Sequence, residues 1–319
     1  MKIFIEDNAI GHVVTSRMMP VWQKGGHGVR RKAKGSEVQL SFVRIQDKKS
    51  KIPKVLRIDG VYYDLDSAYK GRNEAIGSSH ARADGVIYQS KYAEVMSARY
   101  LKPARKPGSL STIIYNGISK NWCGEHAEHE GFNIVVSAKW RRHKRLAETI
   151  DVFLRCLHAM PDAVLHVFGM LYDNKKVKHP NIKYYGMVNR KSRMKGVFVY
   201  SDLSIHLSKK DCCPNSVVEA IGAGIPVITT NACGGAAEMC RMTPGCLVCE
   251  SDDESYEPCH PYRDGYNKMR KTVKKELIEL ILQVYEDRRR VQQPKRLGIG
   301  YMAKHYVSFM KQVSEKTMS

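Results

Sequence analysis

The run Ser208-Lys209-Lys210-Asp211-Cys212-Cys213-Pro214-Asn215-Ser216-Val217-Val218-Glu219-Ala220 decides how the rest of the chain is read. After it come Gly222, Gly224, an apolar segment from Ile225 to Thr230, and then Gly234, Gly235 and Glu238. Asn215 and Ser216 are good N-cap residues, and Ser216 to Ala223 reads as a short helix with Val217, Val218 and Ile221 on its apolar side. Asp211 then sits in the loop before that helix and Glu219 in its early turns. A helix N-terminus offers unpaired N–H groups and a partial positive charge, a seat for phosphate, while a carboxylate beside it accepts hydrogen bonds from sugar or ribose hydroxyls. Two carboxylates flanking one such end suit a nucleotide sugar.

Asp211 followed eight positions later by Glu219, with Pro214 between them and Gly224-Ile225-Pro226-Val227 beyond, resembles the acidic donor-binding motif of retaining GT-B glycosyltransferases of the large family 4. In that family the first acid is usually Glu; Asp211 keeps the charge and shortens the reach by one methylene. The resemblance implies an α/β GT-B fold, two Rossmann-like doubly wound domains facing a cleft. The alternative reading of the stretch is a buried strand-loop-helix-strand unit of another doubly wound protein.

At 319 residues and 43% hydrophobic content the chain has room for two domains with cores of their own. It contains no apolar run of transmembrane length and opens on the strand-like Lys2-Ile3-Phe4-Ile5 rather than a signal sequence, so the reading is a soluble, cytoplasmic protein, with association to a membrane surface or to DNA left open. Nine cysteines in that compartment read as reduced thiols. Cys233, Cys240, Cys246, Cys249, Cys259 and His260 include one Cys-x-x-Cys spacing compatible with zinc, against a set of small buried thiols as the default. A net charge of +21 attracts polyanions without saying which: nucleic acid, an anionic membrane or an acidic glycan.

Lys2 to Glu6 reads as a first strand and Asp7 to His12 as the turn after it, where a doubly wound sheet presents ligand loops. Gly11 lets backbone approach a ligand, and His12 is a general base, a phosphate contact or simply an exposed loop residue. Val13 to Gln23 is helical. Gly25-Gly26-His27-Gly28-Val29 resembles the Gly-His-x-Val turn leading into the family's second strand, supplied here by Glu37 to Ile45. Two basic runs, Arg30 to Lys34 and Lys48 to Lys54, read as solvated loops or as acceptor contacts. The strand Val55 to Ile58 ends in Asp59-Gly60, which resembles an element bordering the acceptor pocket in some family 4 sequences; Asp59 is either a residue near the acceptor hydroxyl or a strand-end turn. A helix over Asn73 to Arg82, a strand in Ala83-Asp84-Gly85-Val86-Ile87-Tyr88-Gln89-Ser90, a helix from Tyr92 to Tyr100 and a strand at Ser111 to Ile118 complete residues 1–125, the acceptor-side domain. Ser119 to Gly131, polar and carrying Glu125, Glu128 and Glu130, reads as the linker.

Residues 126–295 read as the nucleotide-sugar domain, with strands and helices alternating as a parallel sheet requires. After the strand Phe132 to Val136 come Lys139 and Lys144, spaced to neutralise the two phosphates of a sugar nucleotide. The family usually has Arg and Lys at this separation; Lys139 keeps the charge and loses bidentate geometry, and Arg141, Arg142 and Arg145 crowd the same turn. Gly186-Met187-Val188 resembles the turn whose backbone holds the nucleotide base, giving Gly186 and Val188 as donor contacts. Residues 296–319 carry a terminal helix of the kind that crosses back onto the N-terminal domain in GT-B proteins.

The functional expectation is a retaining transferase moving a sugar from a nucleoside diphosphate, most simply UDP, to a hydroxyl. Asp211, Asp59, Lys139 and Lys144 are the catalytic candidates; Gly11, His12, Gly186, Val188, Cys212, Cys213, Asn215, Ser216 and Glu219 are the donor-binding ones. Neither a cofactor nor a metal is required, since cationic side chains can do the neutralising, and no obligate protein partner is inferred. The acceptor is expected to be polyanionic, with a hydroxymethylated base in DNA favoured over an anionic-membrane or surface glycan. A non-catalytic nucleic-acid-binding GT-B protein is the third reading.

Overall fold

A computed structural model describes residues 1–120, 122–172, 176–188, 191–262 and 265–318. The chain divides into two compact units, residues 1–118 with 295–319, and residues 119–294. The first contains β1 (Lys2–Ile5), α1 (Asp7–Ile10), α2 (Val13–Lys24), β2 (Gly28–Arg30), β3 (Val38–Phe42), β4 (Lys54–Ile58), α3 (Tyr69–His80), β5 (Gly85–Tyr88), α4 (Lys91–Tyr100), β6 (Leu110–Ile113) and the C-terminal helix Ile299–Met318. Its strands are all parallel, in the order β2-β1-β3-β4-β5-β6. Its inner strands are covered on both faces, as the burial of Val38 beside Gln39 and of Val55 beside Leu56 shows; in β3 the second face is polar, with Gln39 donating to the buried Glu6 carboxylate at 2.8 Å.

Several expected boundaries move, each for a local reason. The strand expected over 37–45 ends at Phe42 because Val43 turns into the left-handed region (φ 64°), reversing the ladder. Gly28 and Val29, expected as a turn, form a strand of their own because they pair in register with Lys2 and Ile3. The turn expected over 7–12 is largely a single helical turn, closed by Ala9 and Ile10 N–H groups on the Glu6 carbonyl. Helix α3 starts at Tyr69, ahead of the expected Asn73, and stops at His80. The terminal helix expected within 296–319 runs from 299 to 318 and places Met302, Tyr306, Met310 and Val313 in one core with Ile3, Met18 and Trp22. Trp22 Nε1 donates to the Ala303 carbonyl at 2.9 Å, so even the polar edge of the largest buried side chain is satisfied.

The second unit contains β7 (Phe132–Ser137), α5 (Leu146–Cys156), β8 (Ala163–Phe168), β9 (Ile182–Gly186), α6 (Lys191–Phe198), β10 (Leu203–His206), α7 (Asn215–Gly222), β11 (Val227–Thr230), α8 (Gly235–Arg241), β12 (Leu247–Cys249) and α9 (Lys271–Asp287). Its parallel order is β12-β11-β10-β7-β8-β9. Leu146, Ile150 and Phe153 of α5 and Val273, Leu277, Ile281 and Val284 of α9 share its core, each helix burying one stripe. The segment expected as a free linker packs on this unit: Trp122 meets Phe198 edge-on at 5.4 Å and Ala127 N–H reaches the Val199 carbonyl. Asn121 within it lies outside the described residues.

In each sheet the chain lays strands to one side of a starting strand and then crosses to the other. β2 flanks β1 on one edge and β3 on the other; β8 and β9 extend from one side of β7, and β10 returns to its other side. Open parallel sheets bind ligands beyond the carboxyl ends of the two strands at such a reversal, because the loops there diverge and leave a crevice. Such reversals fall after β7 and β10 in one sheet and after β1 and β3 in the other.

Candidate functional site

Beyond β7 and β10 lies a cavity of about 510 Å³ whose lining includes Lys139, Lys144, Val188, Asp211, Asn215, Ser216 and Glu219, together with Ser137, Gly169, Tyr172 and His206. Each reaches it by a short path from the sheet. Lys139 follows β7 directly, and Lys144 ends a short 3-10 turn (Arg142–Lys144). Gly169 follows β8 with φ 108°, and a Cβ there would stand 1.8 Å from the Ala138 carbonyl oxygen, so only glycine lets these two loops close together. Asp211 sits where Lys210 takes a left-handed turn (φ 55°) after β10. The Asp211–Cys212 loop is pressed against α8, where a Cβ on Gly235 would lie 1.7 Å from the Cys212 carbonyl oxygen.

Helix α7 opens one residue earlier than expected, and its N-cap is Pro214 rather than Asn215 or Ser216. Proline has no side chain to close the first N–H groups, so the end facing the cavity lacks a side-chain cap. Ser216 instead turns its hydroxyl to His206 Nδ1 at 3.3 Å. That histidine, the last residue of β10, went unread in the sequence; the available signal was its position five residues before Asp211 on the strand that delivers it.

The charges in this cavity are tightly coupled. Lys144 Nζ donates to Asp211 Oδ2, and His206 Nε2 lies 3.6 Å from the same oxygen. Burial opposes a charge on Asp211, but Lys144 and His206 outweigh it and hold the carboxyl far below the usual carboxylate range. Burial also works against the Lys144 ammonium, and Asp211 reverses that, raising it above an ordinary lysine. Burial lowers His206, with Asp211 offsetting only part of the effect, so the ring is neutral at pH 7. Lys139 is exposed at the rim.

The crowded arginines separate in space. Arg145 is buried and bonds Asp252 at 2.5 Å, Arg142 donates to the Tyr262 carbonyl, and Arg141 lies over the Tyr172 ring; none of the three lines the cavity. Lys209 and Lys210 also turn elsewhere, to the carbonyls of Tyr266 and Ser255. Cys212 and Cys213 are not among the lining residues, and Cys213 is buried with its sulfur 3.8 Å from Met239 Sδ. Gly186 takes φ 65° and accepts from Gly169 N–H at 2.7 Å, bracing the loop that carries Val188.

The first unit has its own cavity of about 570 Å³ beyond β1 and β3, lined in part by His12 and Asp59. His12 Nδ1 caps α2 by accepting from Val14 N–H, which leaves Nε2 as the donor toward Asp59 Oδ2 at 3.4 Å. Asp59 also pairs with the buried Arg57 and accepts from Gln89. Burial alone would raise its carboxyl; Arg57 and then His12 bring it below the ordinary value. Gly11 precedes this pair with φ −83°, a conformation any residue adopts.

All nine cysteines are free thiols, and among the described residues those of the 233–260 stretch do not come together as a set of three metal ligands. The group that does is His126, His129 and Asp202, and there Arg290 already donates to His126 and Asp202.

Residues 131–257 match the family model described as Glycosyl transferases group 1, a segment that contains every lining residue of the second unit's cavity. No curated protein matches the sequence significantly. The solved structure of Anabaena Alr3699/HepE in complex with UDP and glucose superposes with a TM-score of 0.62 at 15% identity, covering 100% of both chains. The fold is GT-B. AviGT4, a glycosyltransferase involved in avilamycin A biosynthesis, gives a TM-score of 0.58 at 12% identity, over 99% of this chain and 98% of that one. Sucrose-phosphate synthase from Thermosynechococcus elongatus gives 0.57 at 12% identity, over 89% of this chain and 72% of that one. At these identities the likeness speaks for the GT-B fold alone, and chemistry has to be argued from the site.

Proposed function

We propose that the protein is a retaining glycosyltransferase of the family 4 type that takes a UDP-sugar in the cavity of its second unit. The observation that carries this reading is the convergence, at one sheet reversal, of Lys139, Lys144, Asp211 and Glu219 on a helix end without a side-chain cap. Lys139, Lys144 and the N–H groups of that end stabilise the diphosphate as it departs, where negative charge develops. Asp211, kept ionised by Lys144, accepts hydrogen bonds from sugar hydroxyls, and Glu219 does the same for the ribose. In transfer the acceptor oxygen bonds the anomeric carbon, the bond from that carbon to the phosphate oxygen breaks, and the hydroxyl proton leaves with the diphosphate. Asp59, held below its ordinary range, is too weak a base to take that proton at neutral pH and serves instead to orient the acceptor hydroxyl with His12.

The acceptor is read as polyanionic from the net charge of +21, with a hydroxymethylated base in DNA ahead of a glycan built at an anionic membrane. The test is mass spectrometry of hydroxymethylated DNA and of a glycolipid extract after incubation with mixed UDP-, GDP- and ADP-sugars. A hexose or pentose added to the DNA supports the reading, addition to the lipid alone moves the acceptor, and DNA binding without turnover on either would leave a binding protein with a GT-B fold.

A further inference from the structure

The cavity of the first unit is positively charged in a way that donor binding does not use. Arg44 and Lys48 reach it from the loop after β3, and Arg82 from just beyond α3. Asp59 is the carboxylate in its lining, and Arg57 and His12 already engage it. Among the described residues no carboxylate lies within ion-pair distance of Arg44, Lys48 or Arg82, whereas other surface lysines of the same unit do find acids, Lys91 with Glu94 and Lys106 with Asp84. Like charges left unpaired around one concavity repel each other, and an anionic ligand relieves that.

The loop is also held firmly, which a merely solvated basic loop does not need. The buried Glu6 carboxylate accepts from Gln46 N–H at 2.9 Å and from Asp47 N–H at 2.6 Å. Asn8 Nδ2 donates to the carbonyls of Phe42 and Arg44, and Ser79 Oγ accepts from Ile45 N–H at 3.0 Å. Glu6 just after β1, Asn8 in α1 and Ser79 in α3 thus fix the backbone that carries Arg44 and Lys48, and fixed donors bind an anion at a lower ordering cost.

We propose that this cavity recognises the acceptor through a phosphate group, with Arg44, Lys48 and Arg82 as the anion subsite beside the His12–Asp59 pair that orients its hydroxyl. The inference rests on the glycosyltransferase reading. A volume of about 570 Å³ suits one nucleotide or one phosphorylated sugar and excludes a duplex. A DNA acceptor therefore enters as a single extruded nucleotide, and a free phosphosugar or nucleotide meets the same requirement. The phosphate is not consumed.

The test uses the full chain, with and without saturating UDP, titrated with 5-hydroxymethyldeoxycytidine and its 5′-monophosphate, with glucose and glucose 6-phosphate, and with a short single strand containing the hydroxymethylated base. The phosphorylated member of at least one pair, or the strand, is expected to bind about tenfold or more tightly than its neutral counterpart. In the Arg44→Ala/Arg82→Ala variant, checked for folding by its thermal transition, that preference is expected to shrink to about twofold. Preference for the strand or nucleotide points to DNA and preference for glucose 6-phosphate to a small phosphosugar, and both support the subsite. Equal binding within each pair, no binding of any phosphorylated member, or a preference that survives the double substitution overturns it. If the double variant does not fold, Lys48→Gln on the same exposed loop carries the test under the same criteria. UDP binding by the unsubstituted protein reports separately on the donor reading, so the two can fail independently.

Discussion

Replacing Lys144 by alanine removes one partner of the ion pair at the floor of the second unit's cavity. The Lys144 and Asp211 side chains are 19% and 18% exposed, and His206 lies 3.6 Å from the same carboxylate. Removing one partner of a fully buried pair costs about 3–5 kcal/mol, because the other charge is left without compensation. Residual contact with water and the nearby imidazole reduce this, so the expected loss is about 2–3 kcal/mol. For a unit of this size that corresponds to a transition lowered by roughly 5–10 °C. The pair also carries a pH signature. Burial works against the Asp211 charge, and Lys144 is the main group that nonetheless holds this carboxyl below its unfolded value. A depressed carboxyl contributes stability that is present in full above about pH 4 and is lost as the pH falls through the folded value. The deficit of Lys144→Ala relative to the parent protein should therefore narrow between about pH 7 and about pH 3. Urea unfolding and calorimetry at both pH values measure this, with Lys144→Met, Asp211→Leu and their double variant forming a cycle whose double member is expected to lie within about 1 kcal/mol of the parent. A single variant within about 0.5 kcal/mol of the parent at both pH values, with no coupling in the cycle, would refute the argument.

Glu219→Ala should weaken UDP binding by roughly tenfold to a hundredfold while shifting stability by less than about 1 kcal/mol, since it removes hydrogen bonds to a charged group from a half-buried site; unchanged calorimetric affinity would count against its assignment to the ribose. Gly169→Ala should destabilise the second unit by about 3 kcal/mol, from backbone strain at φ 108° and collision with the Ala138 carbonyl; a variant that melts with the parent contradicts the contact. Burial lowers His80, His143 and His166 to about 4 each. The unfolded chain then binds more protons between about pH 6.5 and 4, so their contribution is complete above that window and is lost as the pH falls through it. His166→Gln, which keeps polar groups facing Tyr185 and Asn133, should flatten the fall in calorimetric stability; an unchanged slope would show that His166 is not the group responsible.

The fold class was legible because alternating apolar strands and amphipathic helices leave few choices for a parallel sheet. Asp211, Ser216 and Glu219 lie within nine residues of sequence, and Lys139 and Lys144 within six, so local reading could group them; the structure adds that the two groups meet, because β7 and β10 are neighbours. What could not be read depended on direction rather than composition. Nothing in the run Lys139 to Arg145 says that Arg145 turns inward to Asp252 while Lys144 turns to Asp211. His206 looks like any strand-end histidine until its neighbours are known. The cap of α7 was misplaced because Asn215 and Ser216 carry strong capping propensity, while the chain turned at Pro214 instead. Arg44, Lys48 and Arg82, whose charges find no acid among the described residues, are scattered over 39 positions of sequence and meet only once β3 and α3 are placed.

The measurement closest to the central claim is release of nucleoside diphosphate from a panel of UDP-, GDP- and ADP-sugars, in the parent protein and in Lys139→Ala. Lys139 is at the rim and exposed, so its loss tests the cavity's chemistry with little effect on folding. The account expects at least one donor to be cleaved, with a rate about tenfold or more lower in the variant. Intact donors throughout, with no UDP binding to the parent protein, would contradict it.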